Sequence, residues 1–185
     1  MKVIGIAFSD LHLGEYSKFN EDNKRTLNHI RVLYLIKDLC IKYKCPAFFC
    51  GDFMHRPEFI STSLDEIIIE QFEELNRCEE FNIYGISGNH DLQKSNTIER
   101  RSSSHWANLC RRYSFLHNID FSYHDFGKFR VVGIPYIDHN KGLDSLIKAE
   151  LRGAMLKPTI LLLHTDYPGA KDTDNTCLLY TSDAA

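Results

Sequence analysis

The chain has 185 residues, 43% of them hydrophobic, with a formal charge of −3. That length suits one domain with its own core, and the charge excludes the global basic field of a general nucleic-acid binder while allowing a local basic patch. No run approaches the roughly 20 apolar residues of a membrane span, and the N-terminus has no charged region, apolar region and cleavage site of a secretory signal, so a cytoplasmic protein is expected.

Lys2 to Phe8 reads as a buried strand that runs into Ser9-Asp10-Leu11-His12. Asn20 to Tyr43 is predicted as a helix, with Leu27, Ile30, Leu33, Tyr34 and Ile41 near helical spacing. Pro46 breaks the chain before a second strand, Ala47 to Cys50, which runs into Gly51-Asp52. Ser63 to Cys78 is predicted as a second helix. Leu64, Ile67, Ile68, Phe72 and Leu75 share one face there, and Ser63 with Glu66 suggests a capping box. The third strand, Phe81 to Ser87, runs into Gly88-Asn89-His90-Asp91. A short helix over Ser104 to Tyr113 follows.

Beyond Phe115 the pattern changes. Ile119 to His124 and Lys128 to Pro135 read as two strands joined by a turn at Phe126-Gly127. A helix over Leu143 to Leu151 precedes the strand Thr159 to Leu163, which runs into His164. Strands alternating with helices around an inserted hairpin predict an α/β fold with a mixed sheet or pair of sheets flanked by helices. The sequence shows no internal repeat. Its six cysteines, at 40, 45, 50, 78, 110 and 177, form no C-x-x-C pair and read as free thiols.

Four apolar runs therefore each end on a metal-ligating residue type. Ligands in open α/β sheets bind beyond the carboxyl ends of the strands, so the pattern marks both the site and its members. Asp10 and His12 can turn toward one point. Asp52 has two carboxylate oxygens and can bridge two cations, while Asn89 offers an amide oxygen and His164 an imidazole. Oxygen and nitrogen donors without thiolate suit Mn²⁺, with Fe or Zn²⁺ as alternatives. Two metals roughly 3.5–4 Å apart would polarise a phosphoryl group and generate a hydroxide nucleophile. His90 could protonate the leaving oxygen, with Asp91 as its orienting partner.

Each residue also has a plainer meaning. Asp and Asn after a strand are common turn formers, and His29, His105, His117, His124 and His139 read as surface or satisfied histidines. What favours the metal centre is the conjunction, in chain order, of Asp-x-His, Gly-Asp and Gly-Asn-His-Asp, each at a strand end.

With His164, these motifs resemble the calcineurin-like metallophosphoesterase superfamily from Lys2 to about Gly169. The resemblance implies a sandwich of two mixed β-sheets flanked by α-helices around a dinuclear centre. It implies that Asp10 and His12 bind the first metal, Asp52 bridges, Asn89 and His164 bind the second, and His90 is catalytic. Gly51-Asp52-Phe53-Met54-His55-Arg56-Pro57 further resembles the SbcD-like DNA repair exonucleases, with His55 and Arg56 expected to meet substrate. Protein phosphatases instead carry Asp-Arg-Gly after the bridging aspartate and Gly-Asn-His-Glu later, and this chain departs from both. Arg100-Arg101 and Arg111-Arg112, with Trp106 and Tyr113 among them, offer a candidate surface for phosphates and stacked bases.

The superfamily pattern ends on a Gly-His-x-His segment that completes both metal shells, and no histidine follows His164 here. Residues 1–176 are thus expected to be the N-terminal portion of a metallophosphoesterase domain that is incomplete at its C-terminus and binds metal weakly. Residues 177–185 are expected to be a non-native tail. The leading expectation is a DNA exo- or endonuclease with two Mn²⁺ ions, an SbcC-like ATPase partner by resemblance, and homodimerisation left open. A small-molecule phosphoesterase and an inactive scaffold are the rivals.

Overall fold

The computed structural model describes residues 2–14, 24–55, 61–92, 104–137, 145, 147–148 and 157–164. Strand β1 (Ile6–Phe8) leads to helix α1 (Lys24–Tyr43), β2 (Ala47–Phe49), α2 (Thr62–Asn76), β3 (Ile83–Gly85), α3 (His105–Arg112) and β4 (Leu116–Asn118). Then come β5 (Ser122–Asp125), β6 (Arg130–Ile134) and β7 (Thr159–Leu163). The first four strands form one sheet in the order β1-β2-β3-β4, and the last three a second sheet in the order β5-β6-β7.

Every pairing in the first sheet is parallel. In the second, β5 and β6 are antiparallel while β6 and β7 are parallel. The expected two-sheet α/β fold is present, with the mixing confined, among the described residues, to the second sheet. Sequential order with no reversal has a consequence for layering. Right-handed crossovers that always step the same way put α1, α2 and α3 on one face of the sheet, leaving the other for the second sheet.

The side chains agree, because they alternate along each strand. Ala47, Phe49 and Ile83 join Ile30, Leu33, Ile36, Leu64, Ile68, Phe72 and Leu75 in the larger core beneath the helices. Phe48 and Ile86 point the other way and pack with Ile119, Val131 and Leu162 between the sheets. On α2, burying Leu64, Ile68, Phe72 and Leu75 stabilises the fold by about 1.5–3 kcal/mol per side chain. Trp106 anchors α3, its ring 4.8 Å from Phe49 and 5.4 Å from Phe53.

Several sequence expectations need correction. The N-cap of α2 is Ser61, whose hydroxyl accepts from Leu64 N at 3.2 Å, so the cap lies two residues before Ser63. On α1, Leu27 and Ile41 face solvent, and Thr26, Ile36 and Cys40 complete the buried stripe. The stretch predicted as one strand from Ile119 begins three residues later as β5. Before it, β4 pairs with β3 as a separate parallel strand. The turn at Phe126-Gly127 joins β5 and β6 as expected, and β7 has the predicted bounds. The predicted helix over Leu143 to Leu151 lies mostly outside the described residues, and the tail at 177–185 lies wholly outside them. No described helix is long and apolar enough to cross a membrane.

Candidate metal centre

Sheet register brings the strand-end residues together before any side chain is considered. Phe8 pairs with Phe49 and Phe49 with Gly85, so the segments after β1, β2 and β3 emerge side by side. The first two stay zipped past the strands. Asp10 N donates to Gly51 O at 3.0 Å, His12 N to Asp52 O at 3.0 Å and Leu13 N to Phe53 O at 2.8 Å. The third is tied in by His90 N, which donates to Asp52 Oδ1 at 2.9 Å.

Two donor sets result, and Asp52 belongs to both. On one side, Asp10, His12 and Asp52 present ligand atoms within 4.8 Å of one another. His12 Nε2 lies 3.5 Å from Asp10 Oδ1 and 3.7 Å from Asp52 Oδ2. On the other, His164 Nε2 lies 3.5 Å from Asp52 Oδ1 and 2.9 Å from Asn89 Oδ1. The opposite ring nitrogen, His164 Nδ1, sits 2.7 Å from the Cys50 carbonyl. The Nδ1–H donates to that carbonyl, which turns Nε2 toward Asp52 and Asn89, the usual way a ligating histidine is oriented.

The backbone is strained where these residues sit. Asp10, His12 and Asp52 have φ of 56°, 44° and 62°, a left-handed region uncommon for side-chain-bearing residues and concentrated at functional sites. Gly51 has φ 106°, and a Cβ there would crowd the His164 ring and lie 2.9 Å from Gly88 Cα. Oxygen-rich donors converging from strained backbone fit a pair of hard or borderline divalent cations.

Charges near Asp52 shift in both directions. Burial alone would raise the Asp10 carboxyl, but hydrogen bonds from His12 and Ser9 hold it below its ordinary value. Burial alone would lower His164; Asp52 outweighs it and raises the imidazole. Burial pushes the neighbouring Cys50 thiol up to about 11, so it stays protonated at neutral pH and is a poor ligand.

Asp91 requires a correction. The sequence suggested that it orients His90, but its carboxylate is fully buried and used by the backbone. Oδ2 accepts from Asp52 N at 3.0 Å and Gly88 N at 2.8 Å, while Oδ1 accepts from Phe53 N at 2.9 Å and Met54 N at 3.1 Å. Burial pushes this carboxyl up to about 7, against the pull of those N–H donors. The His90 ring is instead held through Nδ1, 2.9 Å from the His55 carbonyl.

His55 lies beside the site, its ring 5.7 Å from His90 and nearly parallel to it. Arg56, Arg100 and Arg101 lie outside the described residues. Trp106 and Tyr113 are both buried and cannot stack on bases, so the aromatic part of the expected α3 surface is absent; Arg111 and Arg112 are exposed. Sequence reasoning also missed Asp120. Its carboxylate accepts from Ser87 N at 2.8 Å and Ser87 Oγ at 2.6 Å, pinning the chain just before the Gly88-Asn89-His90 segment. No local motif marks it, because the contact spans 33 residues.

A family model described as calcineurin-like phosphoesterase matches residues 6–180. Among solved structures, one similar chain is a Pseudomonas putida nuclease MPE, at 14% identity and a TM-score of 0.41. That match covers 74% of this chain and 56% of the nuclease, so the chain spans little more than half of that protein's length. No curated protein matches the sequence significantly.

Proposed function

Because the chain belongs to the calcineurin-like phosphoesterase family, we propose that it hydrolyses phosphodiester bonds using two divalent metal ions held at the strand ends. The observation that carries this reading is the division of Asp52, with Oδ2 toward His12 and Oδ1 toward His164. One carboxylate between two donor sets is the geometry a bridging ligand needs. Asp10, His12 and Asp52 would hold one ion, and Asp52, Asn89 and His164 the other. Bound there, the ions supply Lewis acidity toward a phosphoryl group and lower the pKa of water.

The remaining chemistry falls to the protein. His90 is half-buried beside the two donor sets, and its Nδ1–H donates to the His55 carbonyl. The ring would thus serve as general acid in its doubly protonated form, giving the Nε2 proton to the departing oxygen and keeping the one on Nδ1. The buried Asp52 keeps water away from its own carboxylate, which strengthens its attraction for cations. Asp91 moves no proton in this scheme; it holds the backbone that carries Asp52.

The substrate reading is nucleic acid, with Mn²⁺ as the metal. Its support is the resemblance of Gly51-Asp52-Phe53-Met54-His55 to the SbcD-like nucleases, together with the placement of the His55 ring against His90. Hydrolysis of single-stranded DNA, duplex DNA and bis-p-nitrophenyl phosphate with Mn²⁺ tests both levels. Cleavage of DNA, lost in Asp52→Ala, is expected. Cleavage of the small diester alone would move the substrate to small molecules, and Mn²⁺-dependent turnover of none would overturn the hydrolase reading.

A further inference from the structure

We propose that His12, His55 and His90 form a third metal position, selective for an imidazole-preferring ion such as Zn²⁺, Ni²⁺ or Cu²⁺, and that filling it inhibits the neighbouring centre. The inhibitory part rests on the hydrolase reading; the binding site does not. The three side chains each offer a ring nitrogen, and these nitrogens lie within 4.8 Å of one another. His12 and His90 meet edge to face at 4.8 Å between centroids, His12 and His55 at 5.6 Å, and His55 stacks on His90 at 5.7 Å.

The cluster is held by its backbone. His55 N donates to Leu13 O at 2.8 Å, and Leu13 pairs with Met54 as an isolated parallel bridge, which sets His55 beside the His12 segment. His90 is tied to the same place through the His55 carbonyl. Gly14 makes the approach feasible, since a Cβ there would lie 2.8 Å from His55 Cβ. All three histidines are half-buried, so an ion can reach them from solvent.

Metal chemistry separates this trio from the carboxylate sets. Three imidazoles and an open fourth position suit Zn²⁺, and affinity at nitrogen sites rises from Mn²⁺ through Ni²⁺ to Cu²⁺. Nitrogens about 2.0–2.1 Å from a tetrahedral Zn²⁺ stand about 3.3 Å apart, so side-chain rotation of the order of an ångström closes the site. His12 also belongs to the Asp10 and Asp52 set. An ion in the trio therefore withdraws a ligand from that set and ties up His90. Low Mn²⁺-type occupancy and high Zn²⁺-type occupancy would then have opposite effects on the same protein.

Electron paramagnetic resonance of the full chain with one equivalent of Cu²⁺ tests the site without a mutation. Superhyperfine coupling to three nitrogens is expected, whereas either carboxylate set offers one imidazole; fewer than three overturns the proposal. In calorimetry, His55→Ala is expected to weaken Zn²⁺ binding at least tenfold and leave Mn²⁺ binding within twofold, with His55→Gln as the substitute should the alanine variant not fold. Equal weakening of both metals would make His55 structural and sink the site. Three nitrogens on Cu²⁺ with no Mn²⁺ binding would overturn the two-metal reading alone. Normal Mn²⁺ binding with one nitrogen on Cu²⁺ would overturn this proposal alone.

Discussion

The Asp91 carboxylate accepts the backbone N–H of Asp52 at 3.0 Å, across 39 residues of sequence. The donor therefore belongs to the residue whose own carboxylate lies between the two donor sets. Asp91 also takes the N–H groups of Phe53, Met54 and Gly88, so one buried side chain fixes the turns after β2 and β3 relative to each other. Asp91→Ala leaves those buried donors without their acceptor. Hydrogen bonds to a charged group contribute about 1.5–3 kcal/mol each, and they do not add independently. A loss of at least ~3 kcal/mol in urea denaturation is expected, with metal binding lost as well; a change below ~1 kcal/mol would refute the structural role.

Asp52→Asn separates bridging from packing. The amide keeps the volume but loses the charge shared between His12 and His164. Metal stoichiometry measured by calorimetry with Mn²⁺ is expected to fall, and hydrolysis of bis-p-nitrophenyl phosphate to drop by about three orders of magnitude, the scale set by losing a group that stabilises transition-state charge. Retention of two ions per chain would show that Asp52 does not bridge.

His90→Ala should divide rate from binding. Its ring nitrogen rests on a backbone carbonyl, and its backbone N–H, which the alanine keeps, bonds Asp52. Turnover is expected to fall about 10²–10⁴-fold, the range for a lost general acid, while Mn²⁺ affinity stays within a few-fold. Parallel loss of both would place His90 in the framework of the site.

Gly51→Ala tests the backbone. At φ 106° an alanine is strained, and its Cβ would press on the His164 ring that follows β7. A destabilisation of about 1–3 kcal/mol is expected, together with weaker metal binding because His164 is displaced. Wild-type affinity in the alanine variant would show that His164 is not held by this contact.

Away from the centre, burial lowers the pKa of His117 from its ordinary 6.5, and His124 adds to the effect. Its ring stacks on Tyr84 at 4.4 Å, and Nε2 lies 2.8 Å from Asn82 Oδ1. Below pH 6.5 the unfolded chain binds more protons at this group than the folded one, so the contribution is whole above 6.5 and declines as pH falls toward the lower folded value. Urea melts at pH 7.5 and 5.5 should show a larger acid loss for the wild type than for His117→Gln. Equal losses would assign the acid sensitivity to other groups.

The sequence by itself determined the order of the strands and helices other than β4, and the donor types at the strand ends. Each apolar run is short, local and followed at once by its polar residue, and periodicity registers that directly. It also located β7 and the hairpin turn. It assigned no strand to Leu116–Asn118, which is a strand only through its pairing with β3. It placed bases on Trp106 and Tyr113, because composition does not reveal which side of α3 faces the core.

Only the tertiary structure decided the work of Asp91, Asp120 and Cys50. Apart from the bond between Asp91 and Gly88 N, their contacts reach 33 to 114 residues along the chain. They run from Asp91 to the Asp52, Phe53 and Met54 N–H groups, from Asp120 to Ser87, and from the Cys50 carbonyl to the His164 ring, and sheet register sets which groups meet. It decided, too, that Asp52 divides its two oxygens and that three histidines from three segments meet. The physical reason is the same throughout. A ligand's chemistry belongs to its residue, whereas its partners depend on which strand ends the parallel sheet places side by side.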